Sequence, residues 1–372
     1  MRILFVLPSL IRAGAETQVI ELVNGLDPNY FQKHLYTFER NIDLLERLDK
    51  DNVTFCNNTR RYKFDINPAM AIGELIDNHK IDVVHCSLQI ALMMAWLGIR
   101  FSERKPHLVV ALHTTRNRNL KNEFLDRFIY QWLMRSARAV VCVCETQADH
   151  WKKKYPFLNG MTRVIYNGVD CEYFDLKNEV NRGVSLRSEL RIPPAASVVC
   201  NIAAFRPEKG HAILIESFQA MLRRKLDTYL ILAGDGPLRA EIEKMVNRRG
   251  IGEKIKFLGS LSDIRPVLAA SDVTVIASTA VESFPMVMLE SMAMSRPVVA
   301  TDIGGIREAV ISGETGYVVP THDPNLLADS ILRILVDGDL HKTMGEKARR
   351  VVEEKFTRQM MISNTAELLS CV

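Results

Sequence analysis

Two glutamates, Glu282 and Glu290, flank the predicted start of a helix and have seven residues between them. Residues 273–277 are apolar and rich in β-branched side chains, which predicts a short buried parallel strand before the helix. Pro285 suits the first helical position, where a backbone N–H is not needed. Glu282 is therefore expected in the loop at the carboxyl end of the strand. Glu290 is expected about a turn and a half into the helix, so that both acids can face one crevice.

This arrangement predicts binding of a sugar that carries a diphosphate. The amino end of a helix attracts phosphate, and carboxylates accept hydrogen bonds from sugar hydroxyls. Taken alone, Glu282 would be an ordinary loop acid and Glu290 an ordinary surface residue, because most acids are exposed. The motifs at other predicted strand ends favour the functional interpretation.

Two cations, Arg206 and Lys209, follow the predicted first strand of the second half of the chain. Positive side chains there would neutralise two phosphates and stabilise a departing nucleoside diphosphate. His113 ends the predicted strand 108–112, where it could bind a sugar hydroxyl or assist the leaving group. A solvated lysine and a plain surface or core histidine are the alternatives.

Glycines at the entries to two predicted helices would let the backbone approach a pyrophosphate closely. Gly14 precedes the first helix, and Gly234 and Gly236 stand in the turn Ala-Gly-Asp-Gly-Pro after the strand 229–233. A simple turn is the alternative at Gly14. For Gly234 and Gly236, a tight turn and a loop that faces the nucleotide both stay open as interpretations. The same loop could fulfil both.

The elements that carry these residues alternate between buried strands and helices, the pattern of parallel sheets covered on both faces. The predicted strands are 3–7, 34–37, 83–85, 108–112, 139–143 and 163–165 in the first half, and 197–202, 229–233, 256–258, 273–277, 298–300 and 316–319 in the second. The fold class is therefore α/β, with two tandem Rossmann-like domains. A cleft between two such domains is a preferred place for a ligand.

An Asn-Gly turn within residues 166–170 marks the predicted domain boundary. The expected domains are 1–166 and 167–356, and a closing helix, 357–372, is expected to pack back on the first domain. The polar stretch 172–196 is predicted to be irregular.

Length and composition limit the class of protein. A chain of 372 residues exceeds one ordinary core, and its net charge of +4 does not indicate a nucleic-acid binder. The apolar start is too short for a signal peptide, and no run reaches the roughly 18 apolar residues of a membrane span. Seven cysteines without metal-ligand spacing indicate free thiols in a reducing compartment. These features predict a cytoplasmic protein without a nucleic-acid partner, free or peripheral on the inner face of the membrane.

The segment 100–138 has a larger net positive charge than the chain as a whole. It holds nine basic and three acidic residues, an excess of 9 − 3 = +6, with aromatic residues among them. Basic and aromatic faces can lie on anionic lipid, whereas a partly buried helix with a solvated cationic side is the alternative. The segment suggests an anionic membrane surface as a partner and a lipid-linked or membrane-proximal acceptor.

Together these motifs resemble the retaining glycosyltransferases of family four, which have the GT-B architecture of two Rossmann-like domains whose parallel sheets face a deep cleft. The resemblance runs from residue 1 to about residue 356 and is most specific over 277–305. There the two glutamates, Arg-Pro-Val-Val-Ala and Gly-Gly stand in the family order. It implies an acceptor-side first domain and a second domain that binds the nucleotide sugar.

The resemblance also assigns roles to single residues. Glu290 is similar to the acid that binds the ribose, and Glu282 to the acid that holds the donor sugar. Lys209 resembles the lysine that binds the diphosphate, Gly14 the glycine whose amide touches it, and His113 the histidine beside the sugar. Residues 166–170 resemble the interdomain hinge, and the turn at Leu258 resembles the family's turn near the base.

Three departures from the family pattern affect the phosphate site, and one of them is Ala13 in place of the first glycine of the amino-terminal pair. Ala204 stands where the family usually has an arginine, so Arg206 would have to reach the same phosphates. Pro285 stands where many members have glycine, and it cannot donate an N–H. The amides near the phosphates would then come from Phe284, Met286 and Val287.

The predicted function is a retaining, metal-independent hexosyltransferase. It would move a hexose from a UDP-sugar or GDP-sugar to a glycan or lipid-linked acceptor in cell-surface polysaccharide synthesis, with no other cofactor. The sequence Asp-Gly-Asp at 337–339 is predicted to form a turn rather than a metal site. The alternatives are a non-catalytic nucleotide-sugar-binding partner subunit and a nucleotide-sugar epimerase. Donor base, sugar, acceptor, linkage and oligomeric state are not readable from the chain.

Overall fold

A computed structural model of the chain describes residues 1–62, 65–114, 126–224 and 227–372. It divides into two compact units. Unit 1 consists of Met1–Gly168 together with Arg358–Val372, and unit 2 of Val169–Thr357. Each unit is an α/β structure around a parallel sheet, so the predicted fold class is confirmed.

The sheet of unit 1 has seven parallel strands in the order β3-β2-β1-β4-β5-β6-β7 in the described part of the chain. The strands are β1 (Arg2–Leu7), β2 (Gln32–Thr37), β3 (Val53–Asn57), β4 (Val83–Ser87), β5 (His107–Leu112), β6 (Ala139–Cys142) and β7 (Thr162–Val164). Its helices are α1 (Gly14–Gly25), α2 (Asn67–Asn78), α3 (Gln89–Phe101), α4 (Gln131–Met134) and α5 (Glu145–Lys154), with a π-helix at Asp126–Tyr130.

Both faces of this sheet are buried, which explains why its central strands are almost continuously apolar. On β1, Leu4 and Val6 face one core, and Ile3, Phe5 and Leu7 face the other. The second core is closed by α14 (Arg358–Ser370), a helix from the far end of the sequence.

The sheet of unit 2 has six parallel strands in the order β10-β9-β8-β11-β12-β13 within the described residues. The strands are β8 (Ser197–Ile202), β9 (Thr228–Ala233), β10 (Ile255–Gly259), β11 (Val273–Ile276), β12 (Val298–Thr301) and β13 (Gly316–Val319). Its helices are α6 (Leu176–Glu189), α7 (His211–Leu222), α8 (Arg239–Arg248), α9 (Arg265–Ala270), α10 (Met286–Ala293), α11 (Ile306–Ala309), α12 (Pro324–Leu335) and α13 (Gly338–Lys355).

Two elements differ from the sequence-based expectation. The strand β3 was not predicted, and the stretch 172–196 is not irregular, because it contains α6. The helix α6 is capped by the side chain of Asp175, and its Gly183 lies against the backbone of α9. Asp337, within the predicted turn 337–339, is likewise a helix cap, since its carboxylate accepts from the backbone N–H of Leu340. None of the described helices is long and apolar enough to cross a lipid bilayer.

Candidate active site

Strands β8 and β11 lie side by side in unit 2, and the chain leaves them in opposite directions along the sheet. The chain continues from β8 to β9 and β10, whereas from β11 it continues to β12 and β13. In open α/β sheets, ligands bind at the carboxyl ends of the strands where the strand order reverses in this way. The loops that follow the two strands are 203–210 and 277–285, and they carry four of the predicted site residues, Arg206, Lys209, Glu282 and Phe284.

Lys209 and Glu282 meet across these two loops. The ammonium of Lys209 forms an ion pair with Oε1 of Glu282, although the residues are 73 positions apart in sequence. The side chain of Glu282 is 9% exposed and that of Lys209 is 23% exposed. Since the lysine keeps access to solvent, it can also pair with an incoming anion.

The loop that carries Lys209 is fixed by its backbone. Pro207–Lys209 forms a single 3₁₀ turn, which Gly210 ends with a left-handed φ of 67°. A side chain on Gly210 would collide with the carbonyl oxygen of Ala277. The backbone N–H of Thr279 donates to the carbonyl of Glu208 at 2.8 Å. The lysine loop is therefore attached directly to the loop that carries Glu282.

The Glu282 carboxylate has a second donor that the sequence analysis did not identify. The hydroxyl of Ser278 donates to Oε1 of Glu282 at 2.7 Å. Thr301, the last residue of β12, donates its own hydroxyl to the carbonyl of Ser278 at 2.5 Å. Both hydroxyl residues are buried. The only available signal for Ser278 was its position between the end of β11 and Glu282.

The backbone around Glu282 is tightly constrained. Val281 has a φ of 55°, which is unusual for a β-branched residue. Gly304 has a φ of 60°, and a Cβ there would lie 2.5 Å from the carbonyl oxygen of Glu282. The N–H of Gly305 donates to the carbonyl of Ser283 at 2.6 Å. The loop after β12 thus holds the Glu282 loop in place.

The helix α10 begins one residue later than predicted. Pro285 is its N-cap rather than its first residue, because a ψ of 132° keeps the proline extended. Met286 and Val287 therefore supply the first helical amides, which have no acceptor within a helix. Phe284 is buried, and its ring centre lies 5.2 Å from that of Phe356. Glu290 is the fifth residue of α10 and is half-buried.

Arg206 opens the 3₁₀ turn that ends at Lys209 and is half-buried. Its backbone N–H donates to the carbonyl of Ala204 at 2.8 Å. Within the part of the chain that the structure describes, its guanidinium forms no ion pair. Its predicted role in place of the family arginine stays a prediction.

The glycines after β9 meet the backbone of the β8 loop. Gly234 has a φ of 135° and Gly236 a φ of 153°. A Cβ on Gly236 would lie 2.7 Å from the carbonyl oxygen of Phe205, and one on Gly234 would collide with that of Ala203. Close backbone packing is thus sufficient to explain both glycines. Leu258 lies in β10 and is half-buried. It packs against the hydrophobic cluster that includes Val198 and Cys200 of β8.

Gly14 and His113 belong to unit 1. Gly14 is the first residue of α1, after the extended N-cap Ala13. His113 follows the end of β5, and burial lowers its pKa to about 4. Burial also lowers the pKa of His85, in β4, to about 4, with repulsion by His113 as a smaller cause. Nε2 of His113 and Nδ1 of His85 are buried without a hydrogen-bond partner among the described residues.

No group of three or more His, Cys, Asp or Glu side chains in the described ranges is arranged to hold a metal ion. The predicted metal independence is a statement about activity, and it stays a prediction.

Two family models match the chain in succession. The model described as Glycosyltransferase Family 4 matches residues 12–173, and the model described as Glycosyl transferases group 1 matches residues 185–351. N-acetyl-alpha-D-glucosaminyl L-malate synthase of Bacillus anthracis is 27% identical over 81% of this chain and 77% of that protein. Alpha-D-kanosaminyltransferase of Streptomyces kanamyceticus is 30% identical over 60% of this chain and 58% of that protein.

Solved structures of similar fold cover the whole chain. The structure of Anabaena Alr3699/HepE in complex with UDP-glucose superposes with a TM-score of 0.86 at 24% identity and covers 100% of both chains. Sucrose-phosphate synthase from Thermosynechococcus elongatus superposes with a TM-score of 0.81 at 20% identity, over 99% of this chain and 98% of that one.

Proposed function

Because the chain belongs to glycosyltransferase family four and has the GT-B fold, we propose that it is a retaining hexosyltransferase. The donor is a nucleoside-diphosphate sugar with UDP or GDP as the nucleotide, and the acceptor is a glycan or a lipid-linked glycan of cell-surface polysaccharide synthesis. The binding of UDP-glucose by the Anabaena protein supports a donor of this class.

The ion pair between Lys209 and Glu282 is the observation that carries the proposal. It lies where the strand order of unit 2 reverses, beside the start of α10. A diphosphate bound there would meet the ammonium of Lys209 and the first amides of the helix, including those of Met286 and Val287. Glu282 would then accept a hydrogen bond from the donor sugar, and Glu290, one helical turn along α10, would bind the ribose.

The mechanism follows from what these groups can do. The bond between the anomeric carbon and the β-phosphate oxygen breaks, and the acceptor hydroxyl oxygen bonds to the same carbon from the same face. The acceptor proton passes to the leaving phosphate oxygen, so no protein nucleophile is needed. Lys209 and the helix amides stabilise the negative charge that develops on the diphosphate.

His113 and Gly14 are proposed to serve the same reaction from unit 1. With its pKa lowered to about 4, His113 is a neutral imidazole at ordinary pH and can share a hydrogen bond with a sugar hydroxyl. The amide of Gly14, at the start of α1, can donate to the diphosphate. Arg206 would add a second cation.

Metal independence is part of the proposal, because Lys209 and helix amides can provide the charge that a divalent cation provides elsewhere. Transfer should continue at an unchanged rate in EDTA. Loss of activity in EDTA and its recovery with Mn²⁺ would contradict this point.

We also propose that the protein lies on an anionic lipid surface. Phe101, Phe128 and Trp132 are 50%, 60% and 57% exposed, and Arg100 lies 4.9 Å from the centre of the Trp96 ring. The aromatic and basic patch consists of Arg100, Phe101, Phe128 and Trp132 in the predicted segment 100–138, whereas the strand β5 of the same segment is largely buried. Residues 115–125, with Arg116, Arg118, Lys121 and Phe124, lie outside the described residues.

The membrane proposal is tested by co-sedimentation with vesicles. We expect binding to anionic vesicles in preference to neutral ones at low salt, and weaker binding of a Phe128→Ala/Trp132→Ala variant. Tyr30→Ala is the control, because Tyr30 is 72% exposed in unit 1 outside the patch. Equal binding to both kinds of vesicle would exclude the proposal.

The main proposal is tested by measuring release of UDP or GDP from a panel of nucleotide sugars, with and without acceptor. A glycosyltransferase releases the nucleoside diphosphate in step with acceptor glycosylation. An epimerase converts the donor without acceptor, and a partner subunit binds the donor without turnover.

Glu290→Ala should weaken donor binding, and Glu282→Ala should mainly lower turnover. Unchanged kinetics in both variants would refute the site assignment.

A further inference from the structure

A pocket of about 380 Å³ lies at the carboxyl ends of β2 and β3 in unit 1. It is lined by Phe38, Glu39, Arg40, Thr59, Arg60, Arg61 and Tyr62. Three arginines against one glutamate give this arginine pocket a charge of 3 − 1 = +2. Guanidinium groups form paired hydrogen bonds with carboxylates and phosphates, so the lining favours an anionic ligand.

One arginine is part of the wall. Arg60 donates to a carboxylate oxygen of Glu39 at 2.6 Å, and its guanidinium carbon lies 5.5 Å from the centre of the Phe38 ring. Its side chain is only 18% exposed. Arg60 and Glu39 therefore neutralise each other, and the excess charge of the pocket comes from the other two arginines.

Arg40 and Arg61 are the groups available to a ligand. Both are exposed, and neither guanidinium forms an ion pair with any residue that the structure describes. The backbone N–H of Arg61 donates to Asp65 at 2.8 Å, which fixes the position of its Cα. The hydroxyl groups of Thr59 and Tyr62 add neutral hydrogen-bond partners.

The arginine pocket lies at the same edge of the sheet as the start of α1. The N–H of Phe38 donates to the carbonyl of Pro8, and the N–H of Arg60 donates to the carbonyl of Phe38. The loops after β1, β2 and β3 are thus joined in a row. Glu39 also lies close enough to Glu16, in the first turn of α1, to add to the effect of burial in raising the pKa of Glu16.

We infer that the arginine pocket binds an anionic group, a phosphate or a carboxylate, that is carried by the acceptor. This inference rests on the proposed function, since an acceptor exists only in a transfer reaction. A neutral glycan could only accept hydrogen bonds from the two exposed guanidinium groups, whereas an anion can also pair with their charge, which gives the stronger interaction.

The test is a calorimetric titration of the full chain with inorganic phosphate and, separately, with succinate. UDP and GDP are both kept saturating, so that phosphate cannot bind at the donor diphosphate site whichever nucleotide the protein uses. We expect wild-type protein to bind one of the two anions, and the stronger ligand identifies the acceptor group as phosphate or carboxylate. The Arg40→Gln/Arg61→Gln variant should bind it at least about tenfold more weakly, because two charge-assisted contacts are lost.

Arg2→Gln is the matched control, because Arg2 is exposed at the amino end of β1, at the opposite edge of the same sheet. It should bind the anion as wild type does. Equal binding by the double variant, or no binding by wild type, would overturn the inference. Binding of the nucleoside diphosphate should be unchanged in every variant, and failure of wild type to bind either UDP or GDP would instead contradict the proposed function.

A second readout uses the reaction itself. A sugar phosphate and the same sugar without phosphate are compared as acceptors, and the double variant should lose the preference for the charged one. Efficient transfer to the neutral acceptor with no preference in wild type would also overturn the inference while leaving the proposed function intact.

Discussion

One oxygen of Glu282 accepts from both Ser278 and Lys209, and this sharing decides how the acid behaves when a donor binds. A diphosphate that attracts the ammonium of Lys209 leaves the hydroxyl of Ser278 still donating to this oxygen. Ser278 does not touch the donor in this scheme. It is therefore a positioning residue for Glu282.

We expect Ser278→Ala to lower kcat by roughly 10-fold or more while the KM for the donor changes little, since a hydrogen bond to a charged group is worth about 1.5–3 kcal/mol. Steady-state kinetics with a saturating acceptor measure both constants. Ser271→Ala is the control, because Ser271 is also buried and its hydroxyl donates to the carbonyl of Val267 within α9. A fall in kcat of the same size in both variants would show a general loss of stability instead.

Residue types and spacing were sufficient to select Lys209 and Glu282 as candidates, but not to predict their contact. The contact requires that β8 and β11 be neighbours, and that follows from the strand order rather than from the 73 positions between the residues. Ser278 could not be selected, because a serine after a strand is common in turns and nothing in its sequence context distinguishes it.

The loop between β12 and α11 acts as a clamp on the Glu282 loop. We expect Gly304→Ala to destabilise unit 2 and to lower turnover, because the added methyl would lie 2.5 Å from the carbonyl oxygen of Glu282. Overpacking of this kind typically costs about 1–3 kcal/mol. Urea denaturation followed by circular dichroism measures the first effect and steady-state kinetics the second.

Gly250→Ala separates this steric effect from backbone strain. Gly250 has a φ of 66°, close to the 60° of Gly304, but a Cβ on it would meet nothing within 4 Å. The control should therefore show only the cost of a left-handed alanine and keep full turnover. Equal losses of turnover in the two variants would contradict the clamp.

The strands of both sheets were largely predictable, because buried parallel strands are nearly continuous runs of apolar, β-branched residues. The strand β3 does not meet this criterion and was not predicted, since it lies at the edge of its sheet and only Val53 is fully buried. The helix α6 was not predicted for a related reason. Its Val180 and Val184 are 49% and 63% exposed, so its sequence lacks the usual separation of apolar and polar faces.

Unit 1 is assembled from two distant parts of the chain, and α14 closes one of its cores. Met361, Ile362 and Leu369 of this helix are buried against that core. A side chain at Gly25 in α1 would collide with Ile362, so the two helices pack closely. The stability of unit 1 therefore depends on a helix that follows all of unit 2 in sequence.

We expect deletion of residues 358–372 to destabilise unit 1 by several kcal/mol, at about 1.5–3 kcal/mol for each buried side chain lost. The tryptophans, at positions 96, 132 and 151, all belong to unit 1, so urea denaturation followed by tryptophan fluorescence reports that unit alone. Met360→Ala, which changes a side chain that is 39% exposed on the same helix, should leave the transition in place. An unshifted transition in the truncated chain would refute this dependence.

Four histidines with lowered pKa values make the stability of both units depend on pH. Burial lowers the pKa of His34, His85, His113 and His211 to about 4. In the unfolded chain a histidine has a pKa of about 6.5. Between these values the unfolded chain binds protons that the folded chain does not, so the free energy of unfolding is fully present above pH 6.5 and falls as the pH drops towards 4.

His211→Phe should remove one part of this pH dependence without loss of packing. The His211 ring is stacked on Phe205 with centroids 4.2 Å apart, and its nitrogens have no hydrogen-bond partner among the described residues. A phenylalanine can keep the stacking but binds no proton. The drop in unfolding free energy from pH 7 to pH 5, measured by urea denaturation with circular dichroism, should therefore shrink by about 1–2 kcal/mol.

His107→Gln, at the exposed first residue of β5, should leave the drop as it is in the wild-type protein. If His211→Phe shows the full wild-type drop, then His211 takes up no proton on unfolding in this range, and the neutral buried state assigned to it is wrong.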